Sequence, residues 1–353
     1  MLTKSSSISL QRPRITRARL SGIPLINWAA FILIGVAVAF NAGCGGAVSN
    51  TAGQPREQQR ERRVTNQSPD GVNNRGTSQT KMSDTNVEKK ETTAPTPFYT
   101  QLKKALRGRK LKLESVCDMS NPVSRRVLED YGAMFLAANS VTPPPVCVFK
   151  NEEEVSEFQI SAKFTTAIVG GDQIELQPAA MSALLAAREE AKGLGLNITP
   201  RGGSEAATRS YQDTFRLWNT RFLPALRYWN SRGRLSKEQV TALRRLPLGE
   251  QVREVLELEK SGIFFSKDFS KSILYSIAAP GTSQHLAMLA LDVEQFADER
   301  VRRILARHGW FQTVKSDLPH FTYLGLKEKD LPARGLLPVI SGKQLFWIPN
   351  IGE

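Results

Sequence analysis

Three histidines occur among the 353 residues, and two of them stand where they could do chemistry. His285 lies in PGTSQHLAMLALDV (280–293), seven residues before Asp292, in a stretch otherwise made mostly of small and apolar side chains. His320 lies in SDLPHFTYLG (316–325), three residues after Asp317. Two imidazoles and one carboxylate are the ligand set of a catalytic zinc ion, which keeps a fourth position for water. Zinc in such a setting lowers the pKa of that water toward ~7. A neighbouring carboxylate can then carry a proton from the water to a leaving amine. The expectation is a Zn²⁺ site built from His285, Asp292 and His320, with Asp317 as general base and then acid. Ser283 is placed to hydrogen-bond within that site. His308 precedes Gly309 at the end of a predicted helix, where the helix dipole favours it, and it is left outside the site.

These residues need elements to position them. In a flat strand, residues seven apart face opposite sides. His285 and Asp292 can share a metal only if a bulge or loop lies between them. TTAIVGGDQIELQ (165–177) predicts two short strands around Gly170 and Gly171. PAAMSALLAAREEAKG (178–193) predicts a helix with Pro178 in the first turn and Gly193 near the end. LNITPRG (196–202) predicts a strand, and SEAATRSYQDTFRLWNTRF (204–222) a helix. SKEQVTALRRL (236–246) opens with a capping box, Ser236 and Gln239. ADERVRRILARHG (297–309) predicts a helix. WFQTVK (310–315) and HFTYLG (320–325) predict strands joined by a turn. The RLW and RYW clusters around Trp218 and Trp229 read as helix packing. The fold class expected is α+β: helices packed on a small antiparallel sheet that carries the zinc site, with extra N- and C-terminal segments.

The two chemical segments resemble the signatures of the zinc D-Ala-D-Ala carboxypeptidase family. That family includes vancomycin-resistance-type D,D-carboxypeptidases and endolysins that cut L-Ala–D-Glu bonds. Its S-x-H-x-x-G-x-A-x-D signature is matched by Ser283, His285, Ala290 and Asp292, with Met288 in the glycine position. The second signature, D-x-P-H-F in the endopeptidase branch, is matched by Asp317 to Phe321. TRSYQDT (208–214) is similar to the family's R-S-Y stretch on a helix and contributes Arg209. The resemblance implies that His285, Asp292 and His320 hold zinc and that Asp317 is base and acid. It implies that Arg209 stabilises an oxyanion or anchors a peptide carboxylate, as a fixed guanidinium can. The matched segments run from about 195 to 326, apart from 223–275. Residues 97–160 and LLPVISGKQLFWIPN (336–350) have no counterpart. The implied activity is D-alanyl-D-alanine carboxypeptidase on peptidoglycan stem peptides. Two other readings stay open: an L-Ala–D-Glu-type endopeptidase, and a catalytically inactive relative that binds cell wall.

Charge and composition set the context. The chain carries 48 Lys+Arg against 34 Asp+Glu, a net +14. Residues 1–95 hold 13 basic and 6 acidic groups, and the remainder 35 and 28. Half of the excess therefore sits in the first quarter. The arginines are scattered and no nucleic-acid-binding motif is present, so nucleic acid is not expected as a partner. A solvated basic surface drawn to anionic membrane or wall fits better. RPRITRAR (12–19) is followed by an uncharged apolar stretch (22–44) that ends in NAGC, which resembles the lipobox of bacterial lipoproteins. Residues 1–44 are thus expected to be a signal with lipidation at Cys44, or a membrane anchor. Residues 45–95, polar and poor in large apolar groups, predict a disordered tether. Residues 96–353 predict the peptidase domain, exported to the cell envelope. In that compartment Cys117 and Cys147 predict a disulfide. Closing a loop of this length would stabilise the fold by ~3–4 kcal/mol.

Overall fold

The computed structural model describes residues 96–352. Cys44, the apolar segment 22–44 and the tether 45–95 lie outside the described residues. Among the described residues no helix is long and apolar enough to cross a membrane.

The domain opens with α1 (Pro97–Gly108), whose Phe98, Leu102 and Leu106 recur every four residues and are fully buried, as an amphipathic stripe requires. Then come α2 (Leu113–Val116), α3 (Pro122–Tyr131) and α4 (Glu152–Ala162). Asn121 caps α3 by accepting from the Val123 and Ser124 N–H groups. Residues 97–160, unassigned from sequence, therefore supply helices to the main core. The Sγ atoms of Cys117 and Cys147 are joined in a disulfide.

β1 (Thr165–Val169) and β2 (Asp172–Leu176) form an antiparallel hairpin. Gly170 and Gly171 both take positive φ in its two-residue turn, the requirement of a tight hairpin. α5 (Pro178–Gly193) follows as expected. The stretch 196–202 differs from expectation: it makes one isolated bridge, Pro200 to Val293. Pro200 has no N–H to extend a ladder, and Gly202 and Gly203 turn away at positive φ.

The helix expected over 204–222 is also divided. Gly203–Ala206 form a 3₁₀ turn, and α6 (Tyr211–Ser231) starts later. Ser210 and Asp213 form a reciprocal capping box that sets this start. Next are α7 (Lys237–Arg245), with the Ser236–Gln239 capping box in place, and α8 (Leu248–Lys260). These helices build a second apolar cluster around Trp218, Phe222, Leu226 and Phe265. Trp218 donates its indole N–H to Gln251, and Trp229 to the Phe264 carbonyl. Both tryptophans serve packing.

The remaining elements are β3 (Ala290–Asp292), α9 (Glu299–Arg307), β4 (Trp310–Phe311), β5 (His320–Tyr323), β6 (Leu336–Ser341) and β7 (Gln344–Pro349). β3, β5 and β4 form a three-stranded antiparallel sheet with β5 in the centre. β6 and β7 pair as a separate C-terminal hairpin. The architecture is α+β. Among the described residues there are three small antiparallel sheets rather than one, and the β1–β2 hairpin falls between helices.

Candidate metal centre

Register brings two of the three expected ligands together. Asp292 and His320 are directly paired across β3 and β5, so their side chains leave the same face of the sheet a few ångströms apart. A one-residue slip would turn one of them to the other face. His285 comes from a different kind of element. It sits in a 3₁₀ turn, Gln284–Ala287, whose first N–H groups are capped by the Ser283 side chain: Oγ accepts from the His285 N–H at 3.4 Å. The turn ends at Met288, which takes a left-handed conformation with φ 55°. That single residue redirects the chain into β3 and removes the strand-parity conflict between positions 285 and 292. It is also the position at which the resembling signature carries glycine. The backbone keeps the glycine-like turn while the Met288 side chain is fully buried in the core. Gln177 holds the turn from α5's entry, donating its backbone N–H to the Met288 carbonyl and its side-chain amide to the Ala287 carbonyl.

Three acceptor atoms converge. His285 Nε2 lies 3.1 Å from His320 Nδ1, and Asp292 Oδ1 lies 3.4 Å and 3.2 Å from them respectively. The outer ring nitrogens decide the tautomers. His285 Nδ1 faces the Ala207 carbonyl at 3.2 Å, which can only accept, so the proton is on Nδ1. His320 Nε2 donates to Gln284 Oε1 at 2.8 Å, while Gln284 Nε2 donates to the Tyr131 carbonyl at 2.7 Å. The inner nitrogens are therefore lone pairs, and they face a carboxylate oxygen with no donor between the three. Such an arrangement could hold a metal ion. Ligands bound at ~2.0–2.1 Å in a tetrahedral zinc site lie about 3.3 Å from one another, which the observed separations match. The two outer N–H bonds to oxygen are the usual support of metal-bound imidazoles.

The electrostatics agree. Burial, helped by the Arg209 guanidinium, pushes the His285 imidazole down to about 4, so the ring is neutral and ligand-ready near pH 7. Asp292 is held well below the ordinary carboxylate range despite its burial. Its second oxygen, Oδ2, accepts from Arg209 Nη2 at 2.8 Å.

Arg209 therefore lies on the extended entry to α6, not on the helix, with Nε on the Glu205 carbonyl. Gln159 of α4 donates to the backbone carbonyls of both Arg209 and Leu286 and ties the two segments together. Asp317 stands at the mouth of a cleft of ≈ 290 Å³ that also meets Ser283, His285, His320 and Arg209. Its carboxylate makes no hydrogen bond among the described residues. Crowding by protein raises its pKa, with His320 pulling the other way. The side chain still meets water, which limits the rise. His285, Asp292 and His320 thus converge, and Arg209, Ser283 and Asp317 line one cleft with the two histidines. The supports Gln284 and Gln177, both buried, half-buried Gln159 and the Ala207 carbonyl were not foreseen. His308 is remote from the site, paired with Glu190 at 2.8 Å. No protein-family model matches the chain, and no curated protein matches it.

Proposed function

We propose that the domain is a zinc-dependent peptidase of the cell envelope that hydrolyses peptidoglycan stem peptides, with removal of a terminal D-alanine as the preferred reaction. The observation that carries this reading is the acceptor triangle of His285 Nε2, His320 Nδ1 and Asp292 Oδ1, with both outer imidazole N–H groups already committed to oxygens. A zinc ion held there would supply Lewis acidity toward a peptide carbonyl and a more acidic water. Asp317, exposed in the cleft and free of hydrogen bonds among the described residues, takes a proton from the attacking water and returns it to the leaving amine. Arg209 holds Asp292 so that Oδ1 faces the histidines. Its Nη1, unused by the described residues, is left to receive an oxyanion or carboxylate. The Cys117–Cys147 disulfide supports export, because such bonds persist in oxidising compartments. The N-terminal residues would then tether the domain to the membrane through Cys44 or the apolar segment.

Endopeptidase cleavage at L-Ala–D-Glu is the second reading, favoured by Asp317-Leu318-Pro319-His320-Phe321. The test is digestion of muropeptides by the zinc-loaded protein, with product masses followed beside a chelated control. Loss of one D-Ala is expected, and an internal cut would select the second reading. His285→Ala and His320→Ala should each abolish bound zinc and turnover. Turnover that survives in both would overturn the zinc mechanism. Bound zinc without any product would move the protein to a wall-binding role.

A further inference from the structure

The cleft before the candidate metal centre has a second wall. It is formed by Arg221 on α6 and by Lys267, Tyr275 and Ser276 from the segment between α8 and Ser283. None of these belongs to the motifs that carry the family resemblance. At ≈ 290 Å³ the cleft is at the small end of ligand sites, so whatever enters it meets both walls.

The charges on the two walls are paired differently. Arg209 is engaged by Asp292 and by the Glu205 carbonyl. Arg221 and Lys267 have no carboxylate partner among the described residues. Arg221 donates from Nη1 only to its neighbour Thr220, at 2.9 Å to the hydroxyl and 3.5 Å to the carbonyl. Its Nε–H is buried and has no acceptor. A buried guanidinium donor without a partner is unfavourable. Lys267 is exposed on the same wall, and its Nζ makes no hydrogen bond among the described residues. The other titratable groups facing the cleft are Asp317, Tyr131, Tyr275, His285 and His320. Asp317 is the one carboxylate among them. Its expected work is proton transfer, so it is not available to neutralise the opposite wall.

We infer that Arg221 and Lys267 form an anion clamp that receives a carboxylate of a short acidic peptide, and that this clamp sets substrate preference. The inference rests on the peptidase reading for the direction in which the peptide lies. Arg221 offers a fixed, planar donor set and Lys267 a mobile point charge. Together they hold a carboxylate across the cleft from the metal ligands and fix the register of the peptide. The clamp binds the substrate; it does not act on the bond that breaks.

The test is calorimetry on the full chain in chelator, where hydrolysis does not compete. Two matched pairs of probes are used: an N-acyl-L-Lys-D-Ala-D-Ala peptide as free acid and as C-terminal amide, and an L-Ala–γ-D-Glu peptide with its α-carboxylate free or amidated. At least one free acid should bind about tenfold or more tighter than its amide, the usual scale for a charge-assisted pair. That advantage should vanish in Arg221→Gln and Lys267→Gln and return largely in Arg221→Lys. Lys267 is exposed, so its variant guards against misfolding of the Arg221 variant. Equal affinity for acid and amide in the wild type, in both pairs, overturns the clamp. So does an acid preference that persists in both Gln variants. An acid preference that depends on the clamp, in a protein whose zinc-loaded form releases no product, would leave the clamp standing and remove the peptidase reading instead.

Discussion

Arg209 and Asp292 are joined by a 2.8 Å ion pair between Nη2 and Oδ2, while the other carboxylate oxygen, Oδ1, faces both histidines. The two partners are 83 positions apart in sequence, and each is mostly buried. The pair therefore does more than balance charge. It prevents the carboxylate from rotating and presents one defined oxygen to the candidate metal position.

Arg209→Ala should consequently weaken zinc binding by about 10–100-fold, as loss of a supporting partner does, while the fold is retained. Competition with a chromophoric chelator reads this directly. An unchanged affinity would mean that Asp292 is held by the histidines alone.

Met288 offers a test of how the turn after His285 is built. Met288→Gly relieves a left-handed residue, worth about 1–2 kcal/mol, but empties a fully buried side-chain site, costing about 2–5 kcal/mol. Net destabilisation of ~1–3 kcal/mol is expected in urea unfolding. A stabilised variant would show that strain at Met288 outweighs its packing.

Gly281 has less freedom. It sits at φ +77°, and a Cβ there would fall 2.0 Å from the Phe149 carbonyl oxygen. The same two residues are tied by the Phe149 N–H to the Gly281 carbonyl at 2.9 Å. Gly281→Ala should cost more than ~4 kcal/mol or prevent folding, and it should displace Ser283 and His285 with it. Circular dichroism and thermal melting check the first effect, and zinc stoichiometry the second.

The zinc-free protein should lose stability on mild acidification. His285 titrates at about 4 in the fold because burial disfavours its charged form, but near ~6.5 in the unfolded chain. Between those values the unfolded state binds the extra proton. Stability is therefore full above ~6.5 and falls as pH drops toward 4, by up to ~3 kcal/mol. The depressed Asp292 carboxyl continues the loss at still lower pH. Urea midpoints at pH 7, 6 and 5 should decline in the wild type and stay flatter in His285→Gln.

The candidate ligand residues were legible because their types are rare and hard to bury without a role: His285, Asp292 and His320 stand in apolar runs. The amphipathic helices 178–193 and 297–309 and the Gly170-Gly171 hairpin were legible from period and turn chemistry. The start of α6 was misplaced, although Ser210 and Asp213 form the same kind of capping box recognised at Ser236 and Gln239. Reading it would have placed Arg209 outside the helix. The strand expected at 196–202 is reduced to a single bridge, from Pro200 to Val293 just beyond β3, because Pro200 has no N–H to extend a ladder. Gln284, Gln159 and Gln177 carry no local pattern. Their partners lie at Tyr131, Arg209 and Thr142, and such long-range pairing leaves no periodic trace.

The Cys117–Cys147 bond also bears on the candidate metal centre. The loop it closes contains Tyr131, whose carbonyl anchors Gln284 and through it the His320 ring. Just beyond Cys147, Phe149 grips Gly281, four residues before His285. The disulfide thus braces the scaffolding behind His285 and His320. Reduction of this one bond would therefore loosen, at a distance, the supports of both imidazoles.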